Sequence, residues 1–207
     1  SCATSSAVAR LFTILDAKRG DIGSTAESYA VAAFETFGAD LVTVSPYLGR
    51  DSVDPFLRYD DRGVFVLCRT SNPSASDLQD LNVVGQPVGS GSILYEQTAA
   101  LALSWGENVG LVVAGNDVGA LEALRRRFPE AWFLAPGIGA QGGTMGAAVT
   151  AGADASGGGI LPVVARAVAK DPAPAARRFR DEIQAALAEK RLGDPRGGAA
   201  APGSAAA

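Results

Sequence analysis

Short apolar runs rich in Val, Leu, Ile and Phe alternate along this chain with longer amphipathic stretches. The runs predict strands over 11–16, 40–45, 63–69, 109–114, 131–135 and 161–166. The stretches predict helices over 24–37, 51–58, 92–105, 117–127, 144–151 and 174–190. Strand and helix in strict turn imply an α/β fold, a parallel sheet with helices outside it. Each run ends in a Gly, Pro or polar cluster: Asp16-Ala17-Lys18, Ser45-Pro46-Tyr47-Leu48-Gly49, Arg69-Thr70-Ser71-Asn72-Pro73, Gly115-Asn116-Asp117, Pro136-Gly137 and Arg166. Polar residues gathered at one end of successive parallel strands predict the active face of a (β/α)8 TIM barrel. Six of the eight strand–helix units are found.

Composition narrows the chemistry. At 207 residues and 47% hydrophobic, the chain can bury one sizeable core. A net charge of −4 gives no electrostatic footprint for nucleic acid or an anionic membrane. No apolar run approaches a membrane span, and residues 1–10 lack a signal-peptide pattern. Cys2 and Cys68 are far apart, and Cys68 sits in an apolar run as a buried thiol, which suits a reducing cytoplasm. There is no histidine, so acid–base work falls to Asp, Glu, Lys or Tyr. No cluster of metal-ligating residues stands out, and no cofactor is expected. Residues 193–207 are nearly all Gly, Ala and Pro and read as a disordered tail or linker, leaving 1–192 as the folded unit.

The chemistry concentrates at residues 11–25. The apolar run Leu11–Leu15 meets three charges, Asp16, Lys18 and Asp21. Side chains alternate along a strand, so Asp16 and Lys18 point the same way. Two readings fit: a salt bridge closing a barrel end, or a catalytic constellation on a rigid element. Gly20 and Gly23 let the chain turn, and Ser24 is placed to cap the next helix.

The string Asp16-Ala17-Lys18-Arg19-Gly20-Asp21-Ile22 resembles the D-x-K-x-x-D-I signature of the orotidine 5′-monophosphate decarboxylases. The following Gly23-Ser24-Thr25-Ala26-Glu27 resembles their longer bacterial form. Two further motifs agree, in the right order. Thr70-Ser71-Asn72-Pro73, by itself a strand-end turn, is similar to the family's loop whose serine reads the pyrimidine ring. Pro136-Gly137-Ile138-Gly139-Ala140-Gln141-Gly142-Gly143 is nearly the family's mobile loop. Gly115-Asn116-Asp117 departs from the Gly-Ala-Thr of the family, and Ser45 stands where it has Asn.

The resemblance implies conversion of orotidine 5′-monophosphate (OMP) to UMP and CO2 in pyrimidine biosynthesis, without metal or organic cofactor. Lys18 would stabilise and protonate a C6 carbanion, and Asp16 would hold Lys18. Asp21, with Ile22 and Thr25, would reach the neighbouring subunit's site in a homodimer with shared sites. Ser71 and Gln141 would contact the pyrimidine, and Gln141 and Arg166 the phosphate. The family carries two strand–helix units before this point, one bringing an Asp to the ribose and one a Lys to the charge network. Neither is found here, so the resemblance covers about residues 11–190 of an N-terminally incomplete barrel. In some organisms this enzyme is fused to orotate phosphoribosyltransferase, so the tail could be a linker stub. Two alternatives stand beside this reading: a Mg²⁺-dependent sugar-phosphate decarboxylase or synthase with the same D-x-K-x-x-D core, and a non-catalytic nucleotide-binding remnant. Arg125-Arg126-Arg127 reads as a solvated helix face.

Overall fold

The computed structural model describes residues 11–84, 92–139 and 141–193. The strands are β1 (Ile14–Arg19), β2 (Leu41–Val44), β3 (Gly63–Arg69), β4 (Asn82–Val83), β5 (Ser92–Ile93), β6 (Val109–Val113), β7 (Phe133–Ala135) and β8 (Ile160–Pro162). Six form one parallel sheet in the order β1-β2-β3-β6-β7-β8, while β4 and β5 make a small antiparallel pair. Sheet order follows chain order, so each crossover leads to the adjacent strand, as in the arc of a barrel. The helices are α1 (Gly23–Val31), continued by a π-helical turn over Ala32–Thr36, then α2 (Asp54–Leu57), α3 (Ser76–Gln79), α4 (Leu94–Leu103), α5 (Val118–Arg127), α6 (Met145–Gly152), α7 (Arg166–Lys170) and α8 (Pro172–Gly193).

The period of two along the strands sorts their side chains into two layers. Val64, Val66 and Cys68 of β3, with Leu111, Val113 and Phe133, pack against the helices in the main core. Phe65, Val112 and Leu134 point the other way and form a smaller inner cluster with Ile14, Leu41 and Leu67. Cys68 is buried, its thiol donating to the Tyr95 carbonyl at 3.1 Å. The inner layer is open at its amino end, where Phe12, Ile14, Leu41, Phe65, Trp132 and Leu161 line an apolar cavity of 420 Å³.

Several expectations need correction. The first strand starts at Ile14, and Leu11 and Phe12 are exposed, because β1 is an edge strand with no strand beyond it among the described residues. Its charges lie inside the strand: Leu15 pairs with Val42 and Arg19 with Val44, so Asp16, Ala17 and Lys18 bulge opposite Thr43 alone. Ser24 does not cap α1. Ile22 takes that position without a side-chain bond, and Asp21 Oδ1 instead accepts the Ile22 N–H at 2.8 Å. The last strand stops at Pro162, and Arg166 opens α7. Arg125 is buried, since its guanidinium donates to the carbonyls of Gly152, Pro129 and Gly159 at 2.9, 2.7 and 2.8 Å and lies 4.2 Å from the Phe133 ring. Burial lowers its pKa, with Asp154 acting in the opposite direction. Arg126 is exposed, and Arg127 pairs with Glu96. Residues 1–10, with Cys2, and the tail over 194–207 lie outside the described residues.

Candidate active site

Three adjoining cavities open among the strand ends. The largest of them, 570 Å³, is lined by Asp16, Lys18, Thr70 and Ser71 over an apolar floor that includes Leu67 and Val112. A second, 440 Å³, takes in Ser71, Asn116 and Gln141. A third, 210 Å³, runs from Gln141 to Arg166. Ser71 is common to the first two and Gln141 to the last two, while Pro136 and Val163 line both the first and the third. Lys18, Asp16, Ser71, Gln141 and Arg166 thus share one continuous face, although they come from four separate stretches of sequence.

Lys18 Nζ donates to Asp16 Oδ1 at 2.6 Å. Both side chains are at least half exposed to the cavity, so the pair adds little to stability and leaves the ammonium free to meet a ligand. Lys18 is the one described non-glycine residue with positive φ, at 48°. Its N–H donates to Thr43 Oγ1 at 2.9 Å, and that hydroxyl donates to Asp16 Oδ1 at 2.9 Å. Thr43 is fully buried.

The loop bearing Ser71 is tied down on both sides. Arg69 bonds Asp117 at 2.8 Å and Asp80 at 2.6 Å and lies over the Tyr95 ring. Burial works against its charge, but the hydrogen bonds it donates to Asp117 and Asp80 outweigh that and the guanidinium pKa is raised. Gln79 accepts the Thr70 N–H and donates back to Thr70 Oγ1. Ser71 Oγ then donates to Gln141 Oε1 at 3.1 Å, and Asn116 Nδ2 to the Gln141 carbonyl at 3.2 Å. The Gln141 loop approaches closely at Gly137, whose φ is 97° and where a Cβ would stand 3.0 Å from Ser71 Cβ.

Asp21, Ile22 and Thr25 line none of these three cavities, and Ile22 and Thr25 are exposed. Tyr47 and Leu48, which follow β2, are also exposed. Among the described residues no group of three or more His, Cys, Asp and Glu side chains is gathered for a metal. Thr43, Asn116, Arg69 and Gln79 were not singled out from sequence as site residues. Arg69 and Asn116 lay within the strand-end polar clusters, and Thr43 had a signal of its own, a hydroxyl within the apolar strand Leu41–Val44 at the inward period shared with Leu41.

Residues 3–179 match the family described as Orotidine 5'-phosphate decarboxylase / HUMPS family. An orotidine 5'-phosphate decarboxylase from Azoarcus sp. is 52% identical over 184 residues, covering 83% of this chain and 66% of its own length. The Leishmania donovani OMP decarboxylase structure superposes with a TM-score of 0.76 at 46% identity, over 84% of this chain and 68% of that one. The Leishmania donovani UMP synthase gives 0.79 at 47% identity, over 86% of this chain and 40% of the larger one. This chain spans about two thirds of the length of the curated relatives it matches. A match through all three motif-bearing loops, at about half identity, places the chain in the orotidine 5'-phosphate decarboxylase / HUMPS family.

Proposed function

We propose that this chain carries the catalytic face of an orotidine 5′-phosphate decarboxylase, converting OMP to UMP and CO2. The observation that supports this best is the run of cavities joining the Lys18–Asp16 pair to Ser71, Gln141 and Arg166. A nucleotide laid along it would put its base beside Lys18 and its phosphate beside Arg166. Breaking the bond from C6 to the carboxylate releases CO2 and leaves the electron pair on C6. The Lys18 ammonium neutralises that charge as it develops and then gives C6 a proton. Asp16 holds the ammonium in place, and Ser71 can both donate to and accept from the amide edge of the ring. Gln141 and Arg166 bind the phosphate, and the guanidinium fork suits a dianion. Binding energy from that remote group orients the base and draws the Gln141 loop shut, excluding water.

The same reading supplies the remaining assignments. The six-strand arc is part of a (β/α)8 barrel whose other two strands would complete the inner layer. Asp21, Ile22 and Thr25, which line none of the three cavities, serve a second copy's site in a homodimer, and the exposed Tyr47 and Leu48 join that interface. The enzyme acts in the cytoplasm, on its own or joined to an orotate phosphoribosyltransferase. No cofactor takes part.

The test is ultraviolet loss of OMP, with and without EDTA, by the chain alone and by the chain with the N-terminal third of a relative joined ahead of Leu11. EDTA-resistant turnover in either form is expected. Turnover that needs Mg²⁺ points to sugar-phosphate chemistry. UMP binding with no turnover in both forms points to a non-catalytic remnant, and either result overturns the proposal.

A further inference from the structure

We propose that Thr43 is a positioning residue of this site, its hydroxyl fixing the backbone of Lys18 and the carboxylate of Asp16 together. The inference rests on the decarboxylase reading for its kinetic consequence, but its geometry stands apart from it. Thr43 faces inward from β2 and is fully buried, opposite the three bulged residues Asp16, Ala17 and Lys18. A bulge leaves backbone groups outside the ladder. Here the Lys18 N–H finds the Thr43 hydroxyl at 2.9 Å instead of a strand carbonyl. A hydroxyl has one proton to give, and Thr43 gives it to Asp16 Oδ1 at 2.9 Å. That same oxygen takes the Lys18 ammonium at 2.6 Å. One buried hydroxyl therefore closes a ring through the main chain of Lys18, its side chain and its counterion.

The ring has a reason to exist. Lys18 sits at φ 48°, a conformation that L side chains adopt at a cost and keep only where the surroundings enforce it. A bulge free to relax would carry the root of the lysine side chain with it. The Nζ position would then drift relative to Ser71 and Gln141, whose loops are held independently by Arg69, Gln79 and Asn116. A displacement of about 1 Å at a reacting group can lower a rate about 10²-fold. Binding of the nucleotide would survive, because its phosphate and base contacts lie on the other strands. A hydroxyl is needed at position 43, and a side chain of the same shape without one is insufficient.

The experiment compares Thr43→Val, which keeps shape, with Thr43→Ser, which keeps the hydroxyl. Thr43→Val should lower kcat for OMP about 10²-fold while UMP affinity stays within about twofold, and Thr43→Ser should recover most of kcat. Amide hydrogen exchange supplies a readout that needs no turnover. The Lys18 amide should be protected in the wild-type chain and in Thr43→Ser, and at least tenfold faster in Thr43→Val, with the β3 amides of Val64 and Val66 unchanged. Equal losses in Val and Ser, or a Lys18 amide indifferent to Thr43→Val, overturn the assignment. A wild-type chain that never consumes OMP refutes the decarboxylase reading, while the exchange data still decide whether Thr43 fixes Lys18.

Discussion

Single side chains in this site meet opposing demands. In the proposed function Lys18 has to be exposed to a ligand and yet fixed, and a strained backbone anchored from the next strand meets both demands. Gly137 has a comparable role in the facing loop. Alanine there would combine an unfavourable φ of 97° with a contact 3.0 Å from Ser71. Gly137→Ala should cost the closed loop about 1–2 kcal/mol, seen as a roughly tenfold rise in KM for OMP in steady-state assays. Cys68 sets the alkaline limit. Burial pushes its thiol far up and raises the Tyr95 phenol to about 12, so the folded state keeps protons that the unfolded chain releases. This contribution to stability is complete below the unfolded thiol's pKa and is lost as pH rises from there toward the folded value. Between about pH 8.5 and 10 urea midpoints should fall, by up to ~1.4 kcal/mol per pH unit from this group, and Cys68→Ala should remove that slope. The shared direction of Asp16 and Lys18 was legible from strand alternation. The bulge between them was not, because register arises from pairing with β2, which no local pattern records.

Elements carry the site by holding strand ends in place. The alternation of strands and helices was legible because β2, β3, β6 and β7 are largely buried and α4, α5 and α6 bury apolar residues of their own. Boundaries shifted where tertiary contacts outweighed local pattern. Arg166 looked like strand, but Pro162 ends the ladder and frees the chain to start α7. Arg125 looked like solvent-facing helix because a charged triplet hides which member turns inward; only the fold brings the carbonyls of Gly152, Pro129 and Gly159 to it. Those carbonyls lose their donors in Arg125→Met. The variant should be less stable by about 3 kcal/mol, a fall in Tm of roughly 6–12 °C by calorimetry, with little change in UMP affinity where folded. An unchanged Tm would show that water or a shifted Lys190 replaces the guanidinium.

At the scale of the molecule, both ends of the parallel sheet, β1 and β8, lack a further strand among the described residues, and the inner layer opens beside Phe12 and Trp132. Bare edges and exposed apolar surface favour self-association. Sedimentation should show the chain alone forming heterogeneous assemblies, and the form extended by the relative's N-terminal third giving a single discrete species. If the chain alone sediments as one small species, the arc is self-sufficient. The measurement that bears most directly on the central claim is OMP turnover by Lys18→Ala, set beside its affinity for UMP. The account predicts a loss in kcat of at least about 10³-fold with UMP still bound. Turnover within tenfold of wild type would contradict it, because some other group would then be meeting the charge at C6.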